Sequence, residues 1–476
     1  MELEIVKKSI SNISKIINKR YFRHFIKDFS QITNIPSKII ELEVKQILYR
    51  DKNYQRKSFY NFYNKKSLLK NLILFLLFTI WNIFAFFLVK KKKQKKFEII
   101  VEGVNSKLEV DRFHKLSNYF KSFCIITKSK LPKRKNIIYH NYNKFFITDH
   151  KFSLSSRLLM FNLFIRLLFY SIIKGENLFF VFFKLYYFYI KYNSLFENNI
   201  SDFLIEEKFY NTSFLKNYIF KKHGGKFTSC IQKNLIELSI GFYVTCDIVF
   251  SLGKNTARGI KKLNGDIKKI YPVGSLFMET DWFNKKKDIN NIEKSDILIL
   301  GINVPSRIGK FVINKRIHKS YYEFIEWLVK FSIKFPKIKL NIKHHGSQIG
   351  DLKEANLLKD SNIKVITKTK NINRSYGYAF KSKIICAFGS TMILESLGHN
   401  KRAFFLDPYY HGQQFYCYLD QAYKYRISKY NDFEKIMLKE LKNKNTHKIT
   451  NQDNFCLKSD NVSKKIAYYL KKQLKN

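Results

Sequence analysis

The sequence predicts an α/β protein made of two tandem, doubly wound parallel-sheet domains behind a basic, helical amino-terminal segment. Three observations predict it. From Phe97 onward, short runs rich in Ile, Val and Phe alternate with runs of helical periodicity, the pattern of strands joined by crossover helices. A polar interval then interrupts the alternation, which restarts near Ser295. Finally, the 476 residues exceed the roughly 250–300 that one hydrophobic core supports.

Residues 1–96 form the first region. Within it "LILFLLFTIWNIFAFFLV", Leu72 to Val89, is followed at once by "KKKKQKK". At 1.5 Å per residue the apolar run reaches about 27 Å, just short of a typical hydrocarbon core of about 30 Å. It is read either as a membrane-inserted or monotopic helix or as a buried helix, and the basic run after it suits anionic headgroups. The region 97–280 is the first sheet domain. "FEIIVEGV", "SFCIITK", "KNIIYHN", "DFLIEE", "FTSCIQ", "CDIVFSLG" and "KKIYPVGS" read as its strands, with helices over "VDRFHKLSNYFK", "FLKNYIFKKHGG" and "NTARGIKKLNG". An inserted stretch, Leu158 to Ile190, is broken by Arg166, Lys174, Gly175 and Lys184; it reads as amphipathic helices that pack on a sheet or lie on a bilayer. A linker at 281–294 leads to the second sheet domain, 295–425, with strands "DILILGIN", "IKLNIKHHG", "IKVITK", "KIICAFG" and "RAFFLDP". Helices are expected over Tyr321 to Phe335, near Asn373 to Lys381 and after Ser390. Residues 426–476 complete the chain as helices.

Lys and Arg number 88 against 37 Asp and Glu, a formal charge of +51. That balance calls for an anionic surface or polyanion nearby, although enrichment in Lys, Asn and Ile throughout also reads as coding bias. Six cysteines, Cys124, Cys230, Cys246, Cys386, Cys417 and Cys456, show no CxxC pairing and mostly occupy apolar runs, so buried free thiols in a reducing compartment are expected. The amino terminus carries charges where a secretory apolar region would stand, so no signal peptide is evident.

In an open parallel sheet, ligands bind beyond the carboxyl ends of the strands. Asn303, Lys343, His344, His345, Gly389, Ser390, Thr391 and Asp407 all fall at such ends in the second domain. A glycine lets backbone approach a ligand, and hydroxyls with free N–H groups at a helix start favour phosphate. Ser390 or Thr391 equally suits an N-cap. Glu395 lies five residues after Ser390 and four after Thr391, which does not fit a capping box. No DxD, HExxH or His/carboxylate cluster at metal spacing occurs, so a metal-independent site is expected.

"KHHG" (Lys343–Gly346) and "AFGSTMILESLGHNKRAFFLDP" (Ala387–Pro408) resemble the carboxyl-terminal half of GT-B glycosyltransferases, which pair two Rossmann-like domains. The likeness is to bacterial surface-polysaccharide enzymes of the capsule and O-antigen kind, related to CDP-glycerol glycerophosphotransferases. It is clear over Ser295 to Asp407 and looser through "FLIEEKFYNTSFLKNYIFKKHGG" and "CDIVFSLGKNTARGIKKLNGDIKKIYPVGS". The resemblance implies transfer of a sugar or polyol phosphate from a nucleotide-activated donor to a glycan or lipid-linked acceptor at the inner face of the cytoplasmic membrane, without a further cofactor. It also implies that Ser390, Thr391 and Glu395 hold the donor, with His344 at its phosphates as a catalytic group; Gly389, Lys343 and Asn303 join this donor set by their position at the strand ends. The base would come from the first domain, where Glu206 and Glu207 are the leading candidates and Glu102, His140 and His223 the others. Lys233 and Asn234 stand where many relatives carry a histidine–glycine pair, so an inactive scaffold is a second expectation. A nucleic-acid-binding protein is a third, lesser alternative on charge and aromatic content; nucleic acid is not the expected partner, because no recognisable binding motif accompanies the charge.

Overall fold

The computed structural model describes residues 2–53, 65–87, 94–141, 152–207, 212–232, 243–262, 265–280, 292–301, 314–344, 352–367, 374–410, 422–443, 449 and 451–475. Asn303, Lys233, Asn234, His345 and Cys417 lie outside the described residues. The chain packs as two compact units. One contains Met1–Val110, Phe120–Cys230 and Tyr243–Asp247; the other contains Asp111–Tyr119, Ile231–Phe242 and Ile248–Asn476.

A seven-stranded sheet comprises β1 (Lys95–Glu102), β2 (Phe123–Thr127), β3 (Ile137–Asn141), β4 (Asn199–Glu206), β5 (Phe227–Ile231), β6 (Thr245–Ser251) and β7 (Asp266–Pro272) in the order β3-β2-β1-β4-β5-β6-β7. The pairings of β1 with β2 and β4, of β2 with β3 and of β4 with β5 are parallel. Strands β2 and β6 are buried along their whole length; β2 accordingly reads as an almost continuous apolar run, and the buried Asp247 of β6 is paired with Lys221 at 2.8 Å.

Around this sheet the first unit carries α1 (Glu2–Ile17), α2 (Arg20–Thr33), α3 (Ser37–Asn53), α4 (Lys65–Phe87), α6 (Leu154–Lys174), α7 (Leu178–Asn198) and α8 (Phe214–Lys222), and the start of α5 (Lys107–Ser117). The break foreseen at Gly175 is the turn between α6 and α7, where the residue caps α6 at φ +64°, a conformation that favours glycine. Helix α7 is buried on nearly every side. Phe78 of α4 packs on Phe164 and Tyr186 of α6 and α7, with ring centroids 4.7 and 5.3 Å apart. Each such ring removed from water contributes about 1.5–3 kcal/mol. Helix α4 therefore has one face inside the protein, so the stretch from Leu72 is not a free-standing helix.

The second sheet is wholly parallel: β8 (Ile297–Leu300), β9 (Leu340–Lys343), β10 (Lys364–Ile366), β11 (Ile384–Ala387), β12 (Arg402–Leu406) and β13 (Arg426–Ile427), ordered β10-β9-β8-β11-β12-β13. Helices α10 (Asn314–Lys334), α11 (Leu352–Leu358), α12 (Arg374–Lys381), α13 (Thr391–Leu397) and α14 (Tyr430–Lys442) accompany it, while α9 (Lys254–Lys262) precedes β7. The last helix, α15 (Val462–Lys475), belongs to the same unit as the end of β6 and β7, since Tyr469 stacks on Tyr271 at 4.1 Å and Lys269 donates to Gln473 at 2.6 Å. Gly274, at φ +101°, shows what this packing requires: a Cβ there would come within 2.9 Å of the Leu457 carbonyl. The five described cysteines are buried free thiols, as expected for apolar runs. Both α/β sheets thus have the parallel, doubly wound character read from the sequence.

Candidate functional site

In each sheet the strand order reverses once, and the carboxyl ends of the two strands flanking the reversal form the place where such sheets bind ligands. In the second sheet these are β8 and β11. Ala387 pairs with Leu300, and Leu300 with Lys343, so the residues that follow stand at one rim: Gly301 after β8, His344 after β9, and Gly389 to Thr391 after β11. Gly389, Ser390 and Thr391 are half-exposed. Ser390 is the N-cap of α13 and accepts from the Met392 backbone N–H at 3.3 Å. The capping reading and the rim position therefore hold together.

Glu395 takes no part in that cap. It is buried, accepts from the Tyr376 hydroxyl at 2.9 Å and from the Ser275 hydroxyl, and so is turned into the protein. The structure corrects its expected role as a direct donor contact, because these hydroxyls engage the carboxylate inside the second unit.

His344 is also enclosed. Its Nε2 lies 2.9 Å from the Glu354 carboxylate of α11, with both side chains buried. Lys343 donates to the His344 carbonyl at 2.9 Å, and burial holds its ammonium below the usual lysine range. Lys343 thus braces the end of β9 and does not project from it. Asp407 is fully buried, its N–H bonded to the Ile427 carbonyl at 2.8 Å.

In the first sheet the reversal lies between β1 and β4. Glu102 and Glu206 stand level across these strands, a placement that is destabilising for two like charges unless a cation intervenes. Lys216 of α8 does so: its Nζ lies 2.7 Å from Glu102 and also contacts Glu206, and all three side chains are buried. Burial pushes the Glu206 carboxyl up to about 8 despite Lys216. Burial acts on Glu102 in the same direction, but Lys216 and Lys191 outweigh it and hold that carboxyl below its ordinary value. Burial likewise brings Lys191 down to about 8.

The expectation that Glu206 and Glu207 face an acceptor is corrected here. Each is about 1% exposed, and Glu206 is enclosed against Lys216, whose ion pair is with Glu102. His223 caps the far end of α8, bonded to Asn193 at 2.9 Å, hence at the amino-terminal side of the strands. His140 lies on the edge strand β3. Glu102 is committed to Lys216.

The helix starts distinguish the two sheets further. At α5, the Glu109 carboxylate accepts from the Asn105 and Ser106 N–H groups at 2.8 and 3.1 Å, a capping box that fills the start of the helix. At α8, Glu43 accepts from the Leu215 N–H at 3.0 Å and the Ser213 hydroxyl at 2.9 Å. At α13 the corresponding acid, Glu395, points elsewhere.

Lys216, Glu354, Tyr376 and Ser275 were not foreseen. One signal existed for Lys216, which stands three and four residues before Ile219 and Phe220 on a buried helix face. Glu354, Tyr376 and Ser275 lie 10, 19 and 120 residues from their partners, on other elements, and leave no local trace. Among the described residues, no group of three His, Cys, Asp or Glu side chains is placed to hold a metal ion.

No protein-family model matches the chain, and no curated protein matches it in sequence. Solved structures similar to it include a Listeria monocytogenes protein assigned as a UDP-N-acetylglucosamine 2-epimerase, at 11% identity and TM-score 0.49, covering 80% of this chain and 97% of that one. The Neisseria meningitidis UDP-GlcNAc 2-epimerase bound to UDP-GlcNAc is similar at 12% identity and TM-score 0.42, over 80% and 100%. The wall teichoic acid polymerase TagF is similar at 10% identity and TM-score 0.45, over 86% and 98%.

Proposed function

We propose that this chain is a glycosyl or polyol-phosphate transferase that takes its group from a nucleotide-activated donor, whose diphosphate rests on the turn Gly389–Ser390–Thr391. One observation carries the reading. This turn is half-exposed at the reversal point of the second sheet, and the acid that follows it is turned away, whereas carboxylates fill the helix starts after β1 and β4. A helix start that Glu395, the acid on the helix itself, does not cap favours phosphate oxygens. The family resemblance of the same residues supports it.

As the nucleotide leaves, negative charge develops on its phosphate, and fixed N–H and hydroxyl donors stabilise that charge without reorganising. His344 stands on the same rim. With its Nε2–H directed to Glu354 at 2.9 Å, a neutral ring keeps Nδ1 as an acceptor, whereas a protonated ring donates at both nitrogens. His344 is then a general acid or an electrostatic partner of the leaving group. The acceptor is a glycan or a lipid-linked glycan, whose hydroxyl must lose a proton in the transfer.

A second reading is a scaffold that retains the nucleotide site without transfer, and the enclosure of Glu206 and Glu207 favours it. The test is a thermal-shift panel of CMP-, CDP-, UDP- and GDP-linked donors, followed by mass spectrometry of the products. A donor at about 100 times its Kd stabilises by about 2.7 kcal/mol. Stabilisation with a transferred product supports the transferase, and stabilisation without any product supports the scaffold. No stabilisation by any donor removes both.

A further inference from the structure

We propose that α4 and α6 together form one lipid-embedded face that lies in the plane of an anionic bilayer instead of crossing it. On α4, Leu69, Ile73, Leu76, Ile80, Phe84 and Phe87 form an exposed stripe at helical spacing, and Phe87 is 76% exposed. On α6, Leu158, Ile165, Phe169, Ile172 and Ile173 do the same. The helices pack on each other. Asn71 donates to Asn177, just past the end of α6, at 2.9 Å, and Arg157, near the start of α6, donates to the Asn82 carbonyl of α4 at 3.2 Å. The two run antiparallel, so the stripes share one surface. A groove of about 380 Å³ opens between them, lined by Phe87, Leu154, Leu158 and Phe161 with Arg157 and Asn82. Its size and apolar walls suit an acyl chain. Exposed apolar area of this extent on a soluble surface marks an interaction site.

The orientation follows from the other sides of the helices. By length and composition α6 is the one helix among the described residues able to cross a membrane. Arg166 lies near its middle, however, 2.6 Å from Asp28 of α2 and half-exposed. Crossing would set this ion pair at the centre of the hydrocarbon, where charge is expensive. Lying flat keeps the pair at the side of the helix, toward water, while the stripe enters the lipid.

The choice of a bilayer over a second copy of the chain rests on charge. Arg20, Arg23 and Lys27 of α2, which packs beside α6, are exposed, as are Lys174 at the end of α6, Lys70 on α4 and Lys95 and Lys96 after it. In sequence, Lys65 and Lys66 precede the apolar run from Leu72 and Lys90–Lys93 follow it. Glu176 and Asp28 at this rim are already paired with Lys19 and Arg166. Two such rims would repel each other, whereas anionic headgroups neutralise them.

The experiment is cosedimentation of the full chain with vesicles of phosphatidylcholine alone or with 30% phosphatidylglycerol. The variants are Leu76→Asp with Phe84→Asp on α4, and Leu158→Asp with Phe169→Asp on α6. Partitioning to the anionic vesicles should exceed that to neutral ones at least tenfold, and each pair of substitutions should lower it at least tenfold with unchanged far-UV circular dichroism. Lys70→Cys and Lys96→Cys should both react with an impermeant maleimide added outside the vesicles. The proposal is overturned if the α6 pair binds like the unaltered chain, if one of the two cysteines is protected, or if the substitutions only dissociate a dimer and leave vesicle binding intact. Nucleotide stabilisation in the same variants reports separately on the transferase reading.

Discussion

Replacing Lys216 with methionine keeps an unbranched side chain of similar length but takes the cation from between Glu102 and Glu206. The two carboxylates stand level on adjacent strands, both are buried, and Lys216 contacts each. Removing one partner of a buried ion pair costs about 3–5 kcal/mol, because the remaining charge is left without compensation. At about 2–4 °C per kcal/mol for a unit of this size, the melting temperature should fall by roughly 6–20 °C. The loss should also depend on pH. Without the cation both carboxyls hold their protons more tightly, so protonation relieves the variant, and its deficit should be smaller at pH 5 than at pH 8. Urea unfolding of the full chain, followed by circular dichroism at both pH values, measures this. A Lys216→Met variant within about 1 kcal/mol of the unaltered protein at pH 8, or one whose deficit grows on acidification, would refute the reasoning.

Glu206→Gln tests the same cluster from the other side. The folded carboxyl keeps its proton up to about pH 8, while the unfolded one releases it near 4.5, so the Glu206 contribution to stability is full below about pH 4.5 and is lost as pH rises toward 8. The Gln variant should lack this fall in a pH series of unfolding midpoints, whereas an unchanged slope would contradict it. Glu395→Ala leaves the Tyr376 and Ser275 hydroxyls without their acceptor and should destabilise by about 1–3 kcal/mol. Thr391→Val should leave unfolding unchanged and weaken nucleotide binding at least tenfold by calorimetry. Gly274→Ala combines a positive φ with a close backbone contact and should cost more than about 1 kcal/mol without altering nucleotide affinity.

Periodicity made most of the fold legible. Runs such as "SFCIITK" and "KIICAFG" are short, β-branched or aromatic and bounded by polar residues, so they signal strands of a parallel sheet from local chemistry alone. β13, two residues long, and α11, seven residues long, carry too little pattern to be seen. The rim position of Gly389–Thr391 was legible because strand ends follow from strand assignment. Glu395 was misread because a buried acid and a ligand-facing acid look alike in sequence. Its partner Ser275 is 120 residues away and Tyr376 lies on another helix, so only the folded chain reveals where the carboxylate points. Glu206 and Glu207 were read as candidate bases at a strand end; their burial, and the placement of Lys216 between Glu102 and Glu206, show only in the folded chain. The apolar stretch from Leu72 was legible as a long apolar helix, with a membrane-facing and a buried reading both open. That α6 shares its face required the antiparallel packing of two helices separated by a whole strand region.

The most direct measurement is a crystal structure of the chain grown with a nucleoside diphosphate. The switch-point assignment predicts phosphate oxygens within hydrogen-bond distance of the Ser390 or Thr391 hydroxyl and of the backbone N–H groups that open α13. A nucleotide bound elsewhere, or a Gly389–Thr391 turn that stays unliganded at saturating nucleotide, would contradict it.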